Sequence, residues 1–308
     1  MAKVQEISSQ IERARCESIP ALAAFVDAIE PSVEADPEAF WGCSEALATL
    51  TRSNFLADLV TWELECLRRD PDYIPCPRGA RDFAVLQLGL LTLGVLVFDA
   101  DPEPPSPLLF GFCEHNISTN IGPGPVLVER WRQEWDGPPE IFDRSRSLIA
   151  LAPVHLRAGE TFTCRAHSDV VRMRGVDAAT VVISLTRLQA TRLRWVYDAA
   201  TLLPVRAEAA DLRAARIDYA MTLLSALGHT AAAPVIATLL DHPDHFVRWS
   251  AVRRVMELDP ALGEPLVHRA LTDPHPHVQR AAQRSLERLN ALRLSPVIQE
   301  TVSHGRHA

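Results

Sequence analysis

The stretch between residues 80 and 205 constrains the fold most. Pro, Gly and Asp break its short apolar runs about every ten to fifteen residues, which suits antiparallel strands in a barrel or sandwich. "LGVLVFDADPEPPSPLLFGF", "GPGPVLVERWRQEWDGPP", "SLIALAPVHLRAGETFTCRAH", "DVVRMRGVDAATVVISLTRL" and "RLRWVYDAATLLPVRAE" follow one another with this punctuation. The last reads as a hairpin turning near Asp198. "FAVLQLGLLTLGVLVF", Phe83 to Phe98, is nearly all apolar, yet it is shorter than the roughly 20 residues a membrane-crossing helix needs. Gln87, Gly89 and Gly94 interrupt it, and β-branched residues crowd its end. It reads as buried sheet, two strands broken at a glycine.

Both flanks are helical. In "NFLADLVTWELECLRR" Phe55, Leu56, Leu59, Trp62, Leu64 and Leu67 fall on one helix face, with Ser53 and Asn54 as N-cap candidates. "PALAAFVDAIE" has the same texture, and the closely spaced prolines of "RDPDYIPCPRG" end the helical lead. After residue 207 a repeat appears. "LDHPDHFVRWSAVRRVMEL" and "LTDPHPHVQRAAQRSLERL" superpose at an offset of 31, matching Leu240 with Leu271, Pro243 with Pro274, Val247 with Val278, Ala251 with Ala282 and Leu258 with Leu289. One step back, Ala220, Leu224 and Leu227 fall in register. Each copy buries against its neighbour what it cannot bury alone.

Bulk properties exclude several classes. The net charge of −8 gives the whole chain no attraction for nucleic acid or an anionic membrane. Lys3 is the only lysine, and the Arg, Ala and Pro bias reads as the codon usage of a GC-rich bacterium. Cys16, Cys43, Cys66, Cys76, Cys113 and Cys164 show no Cys-x-x-Cys spacing, so a zinc knuckle and a disulfide scaffold are both excluded, and reduced thiols in a cytoplasmic protein are expected. The N-terminal "MAKVQEISSQIERARCESIP" lacks an apolar signal core. No phosphate-binding or dinucleotide fingerprint occurs; "GPGP" at 122–125 has too many prolines to cradle a phosphate with backbone N–H groups.

"GFCEHNISTNIGPGP" and "LRAGETFTCRAHSDVVRMRGVDAATVVISL" carry the chemistry-bearing candidates. With the helical lead, a strand pair, the histidine loop at His115 and the glycine turn at Gly159, they resemble the cupin superfamily, nearest its cysteine-dioxygenase-like branch. The resemblance implies a β-barrel holding iron on three imidazoles that leave positions open for substrate and dioxygen. The chain departs from the pattern twice: His115-Asn116-Ile117 lacks the second histidine of H-x-H, and Val171 stands where the later histidine belongs. If a metal is held, the expected ligands are His115, His155 and His167. His167-Ser168-Asp169 also spells the first half of a facial triad.

Residues 208–295 resemble the short HEAT-like repeats with a D-x-x-x-x-V-R-x-x-A pattern, here Asp241, one residue further from the valine than the pattern has it, with Val247, Arg248 and Ala251, then Val278, Gln279 and Ala282. "DHPDH" and "DPHPH" fall at the turns between these helices, where Asp and Pro serve the turn and the N-cap. Trp131 and Trp135 flank "RQE" beside Arg130 and Arg132 and are expected on a strand edge, one buried and one exposed, the alternative being that they line a ligand mouth or a partner surface; "SHGRHA" is expected to be a frayed tail.

The expected architecture is α+β: a helical N-terminal segment (1–78), a central antiparallel cupin-like β-barrel (79–206) and a C-terminal α-solenoid of HEAT-like repeats (207–308). The expected function is ligand or protein binding, with a degenerate metal site and a protein or peptide partner on the repeats. The alternative is a non-haem iron oxygenase acting on a small thiol, amino acid or peptide.

Overall fold

Apolar residues at helical spacing become four helices: α1 (Ala2–Ser18), α2 (Pro20–Val33), α3 (Cys43–Arg52) and α4 (Phe55–Arg69). Asn54 occupies the N-cap of α4, but it is the Ser53 hydroxyl that accepts the Phe55 N–H at 3.1 Å. The computed structural model describes residues 2–33, 37–73, 77–79, 82–99, 106–135, 137–188 and 191–294. Cys76 and the "SHGRHA" tail lie outside the described residues; no disulfide joins the described cysteines.

The punctuated stretch becomes strands β1 (Pro77–Gly79), β2 (Asp82–Leu88), β3 (Leu91–Phe98), β4 (Leu108–Phe110), β5 (His115–Asn120), β6 (Val126–Arg132), β7 (Ile149–Leu156), β8 (Thr161–Cys164), β9 (Asp169–Gly175), β10 (Thr180–Arg187), β11 (Leu193–Asp198) and β12 (Pro204–Ala209). The apolar run 83–98 is the β2–β3 hairpin, turning at Gly89, whose φ of 57° is open to glycine at little cost. The expected hairpin at Asp198 also forms: the Asp198 carboxylate accepts the Thr201 N–H at 2.7 Å and β11 pairs with β12.

The strands form an antiparallel six-stranded sheet in the order β1-β2-β3-β10-β5-β8 and two three-stranded sheets, β12-β11-β4 and β7-β6-β9, touching at the Gly111–Val170 bridge. They do not close into the expected barrel. β8 ends at Cys164, the chain turns through 165–168, and β9 pairs with β6 in another sheet, so no β8–β9 ladder exists to seal the edge.

Strand alternation assigns the two faces of the large sheet. Ile117, Ile183, Leu185, Leu93 and Val95 pack with Leu22, Phe25, Phe40, Leu47 and Phe55 of the helical lead. The opposite face supplies Val182 and Phe162 to a second core with Val126, Val128, Leu156 and Met173 of the β7-β6-β9 sheet. Helices α1–α4 and the sheets therefore belong to one compact unit, residues 1–208.

Residues 209–308 form a second unit. Its helices are α5 (Leu212–Ala226), α6 (Ala233–Ala237), α7 (His245–Leu258), α8 (Pro260–Ala270) and α9 (Pro276–Leu294). Central α7 packs against the other four, burying Val247, Ala251, Val252, Val255 and Leu258. Ser250–Asp218, Arg254–Thr222 and Glu257–Ser225 each span a separation of 32, so α5 and α7 run parallel. The first repeat copy is rotated from its expected face. α5 buries Ala214 and Met221, with Ile217 and Leu224 packed against that core, whereas Ala220 and Leu227 are exposed. No helix among the described residues is long and apolar enough to cross a membrane.

Candidate functional site

His115 lies on the wrong face of β5 to point into the space between the sheets. It shares parity with Ile117, which packs on the helices. Its ring sits against Trp41, with centroids 5.1 Å apart, and 6.2 Å from Phe40, and its Nδ1 accepts the Ala166 N–H at 3.1 Å. Burial, with Arg165 nearby, pushes its pKa below the usual histidine value. The neighbouring positions Asn116 and Ser118 face the other way. The Asn116 amide donates to the hydroxyls of Ser184 and Thr186 and accepts from Ser118, a buried network of small polar groups.

The other two expected ligands lie elsewhere. His155 is on β7 opposite Leu127, exposed, while its neighbours Val154 and Leu156 oppose the inward Val128 and Val126. His167 sits in the β8–β9 turn at φ 67°, with its N–H donating to Phe112 O at 2.7 Å. Its ring meets Trp195 edge-on at 5.8 Å, its Nε2 is buried without a hydrogen-bond partner, and burial lowers its pKa. Asp169, its H-x-D companion, accepts the Arg165 N–H at 2.7 Å and faces Arg132 at 3.6 Å. The structure does not gather His115, His155 and His167 at one point. Among the described residues, one group of three potential ligands has donor atoms all within 4.8 Å, and it is His245, His275 and His277.

What the sheets do enclose is a cleft of about 340 Å³ beside Arg130, Arg132, Arg165, Phe162 and Asp169. Arg130 and Arg132 continue the inward face that begins with Val126 and Val128, so the apolar core gives way to guanidinium groups at one end. Three cations stand there against one carboxylate. Arg165 also pairs with Glu38 at 3.1 Å and lies over the Trp41 ring; Arg132 faces Asp169 directly across the ladder. Arg130 is half-buried, 5.6 Å from the Phe162 ring centroid, and has no ion-pair partner among the described residues. Cys164, fully buried and opposite Asn116, has its thiol pKa pushed up by burial, and therefore stays protonated and unreactive. Arg130 and Arg132, two apart on β6, were legible beside the tryptophans, but Arg165 and Asp169 were not, because they are distant in the chain and only the β6–β9 register brings Asp169 opposite Arg132. Trp131 and Trp135 do not divide as expected: both are half-buried, Trp131 against the Trp195 cluster and Trp135 at 6.4 Å from Trp195.

In the helical unit the two turn motifs read as caps and punctuation also gather the three imidazoles. His245 opens α7, His275 precedes α9 and His277 lies in its first turn. The rings of His245 and His275 are stacked at 3.5 Å and 4°, and His277 is 5.2 Å from His275 and 6.3 Å from His245. Burial, with the neighbouring imidazoles, depresses the His245 pKa to about 3.

No protein-family model matches the chain, and no curated protein matches it. Among solved structures, the chain is similar to a Ralstonia eutropha JMP134 protein provisionally described as a mannose-6-phosphate isomerase, at 15% identity and TM-score 0.25 over 36% of this chain and 88% of that one. It is also similar to a recombinant oxalate oxidase in complex with glycolate, at 14% identity and TM-score 0.24 over 34% of this chain and 45% of that one. A DMSP lyase from Ruegeria pomeroyi DSS-3 matches at 13% identity and TM-score 0.22 over 35% of this chain and 50% of that one. This chain thus spans about half the length of the latter two. At these scores the likeness assigns neither family nor chemistry.

Proposed function

We propose that residues 1–208 form a cupin-like sandwich that binds a small anion, a carboxylate- or phosphate-bearing molecule, in the arginine cleft, without iron at His115, His155 and His167. The observation carrying this reading is Arg130: a half-buried guanidinium, unpaired among the described residues, at the edge of a cavity large enough for a small ligand. A cation in that position gains a charge-assisted, bidentate partner from a bound carboxylate or phosphate. Arg132 and Arg165 add field, and Phe162 gives the ligand an apolar wall. The oxygenase alternative requires imidazoles that turn toward one point. His115 instead packs on the helices, and His155 faces outward.

The test is calorimetric titration of the full chain with inorganic phosphate and a panel of small mono- and dicarboxylates, repeated on Arg130→Gln. At least one anion is expected to bind, and Arg130→Gln to weaken it by about 10- to 100-fold, the worth of one charged hydrogen-bonding group. Absence of binding by every anion, or equal binding by the variant, removes the reading.

A second role belongs to the helical unit. Tyr219 and Leu223 on α5 and Leu227 at its C-cap expose one apolar stripe at i, i+4 and i+8. Such a stripe supports the reading of a protein- or peptide-binding surface. Its test is crosslinking of the full chain in its native extract, compared with Leu223→Asp. Loss of a specific adduct in the variant supports the role; an unchanged pattern ends it.

A further inference from the structure

His245 is 9% exposed, and its contacts among the described residues are to other rings: Phe246, His275 and His277. Three imidazoles converging from two separate turns bring their nitrogens to one place, where a single ion can share them. Neutral imidazole nitrogen suits zinc and its first-row neighbours.

We propose that His245, His275 and His277 bind one divalent first-row transition-metal ion of the zinc class, which ties the turn before α7 to the turn before α9. The donor set is all nitrogen, from three protein ligands, so a further coordination position is left to water. The ligand atoms already lie within 4.8 Å of one another. His275 Nδ1 accepts the His277 backbone N–H at 3.2 Å, the long end of the hydrogen-bond range, and an ion at that nitrogen would displace this contact. Arg248, whose charge acts on His245, is neutralised by two 2.7 Å bonds to Asp273 and does not bar a second positive charge. The two turns stand one repeat apart, so the ion would cross-link successive repeats much as a structural zinc staples a small domain. The site is independent of the arginine cleft and survives if that reading fails.

The test uses the full chain stripped with a chelator. Cobalt(II) is titrated as a spectroscopic probe, zinc is titrated calorimetrically, and thermal unfolding is followed with and without zinc. One equivalent is expected to bind, with cobalt d–d bands of low coordination number and a zinc-dependent rise in unfolding temperature. His245→Ala and the milder His277→Gln are each expected to weaken binding at least ~10-fold and abolish the thermal shift. His304→Ala with His307→Ala is expected to bind as the parent does. The proposal falls if the folded parent takes up no zinc at micromolar concentration. It also falls if His277→Gln, folded by circular dichroism, binds as tightly as the parent, or if binding is lost only with His304 and His307.

Discussion

Arg15 and Glu63 meet as a buried ion pair across 48 residues of sequence, the guanidinium fully buried and its Nη2 2.6 Å from the carboxylate. The same guanidinium donates to the backbone oxygen of Val85 at 2.8 Å, and Tyr73 donates to the second Glu63 oxygen at 2.8 Å. It thereby joins α1, α4 and β2. Arg15→Ala strands a buried carboxylate and the carbonyl groups of Ala84 and Val85 and is expected to cost about 3–5 kcal/mol in urea unfolding. Arg15→Met with Glu63→Gln is expected to recover much of that loss, because the damage comes from the unpaired charge. A single variant within 1 kcal/mol of the parent, on the order of ordinary surface changes, would show that the pair is not essential to this core.

Gly122 holds a crossing too tight for any side chain. A Cβ there would stand 2.2 Å from the Thr180 hydroxyl and 2.5 Å from the Val181 backbone nitrogen. Thr180 is fixed by hydrogen bonds to Asn120 and Gly124, so it cannot move aside cheaply. Gly122→Ala is expected to lower the unfolding midpoint by an amount equivalent to about 2 kcal/mol or more, whereas an Ala at Gly42, where a Cβ meets nothing within 4 Å, is expected to leave it nearly unchanged.

Acid is expected to destabilise this protein through its half-buried histidines. Burial holds the pKa of both His115 and His167 below the ordinary value. Below about pH 6.5 the unfolded chain therefore takes up protons that the folded chain refuses, and stability falls with pH, while above that value it is flat on their account. His115→Gln is expected to shallow the slope of unfolding temperature between pH 7 and the folded-state value. A slope identical in parent and variant would show that His115 does not contribute.

Arg248 and Asp273 couple the repeats. The two bonds are 2.7 Å each and the partners are 11% and 9% exposed. Arg248→Lys keeps the charge but loses the fork, and the remaining bonds to His242 and Pro243 oxygens go with it. A double-mutant cycle with Asp273→Asn is expected to give a coupling energy of about 1–3 kcal/mol. Coupling near zero would reduce the pair to a surface contact.

The sequence revealed what depends on neighbouring residues. Gly89 broke the apolar run where the hairpin turns, Asp198 marked its own turn, and the offset of 31 placed α7 and α9. It hid what depends on register. Nothing local in "CEHNIST" says whether His115 or Asn116 points inward; that follows from the pairing of Ile117 with Leu185 and its burial against the helices. The rotation of α5 was equally hidden, since Ala220 and Met221 both suit a buried face, and only the packing against α7 selects Met221. His245 and His275 are 30 residues apart and meet only because the repeat stacks its turns.

The alternation of β5 also sets how far this scaffold stands from a different chemistry. Asn116 and Ser118 project from the same face, two positions apart, into a space already lined by hydroxyls. Asn116→His with Ser118→His would turn two imidazoles inward with H-x-H spacing on an unaltered ladder. The difference between a hydrogen-bonded interior and the H-x-H spacing of a metal-binding strand thus rests on two side chains of β5, and no change of strand order is part of it.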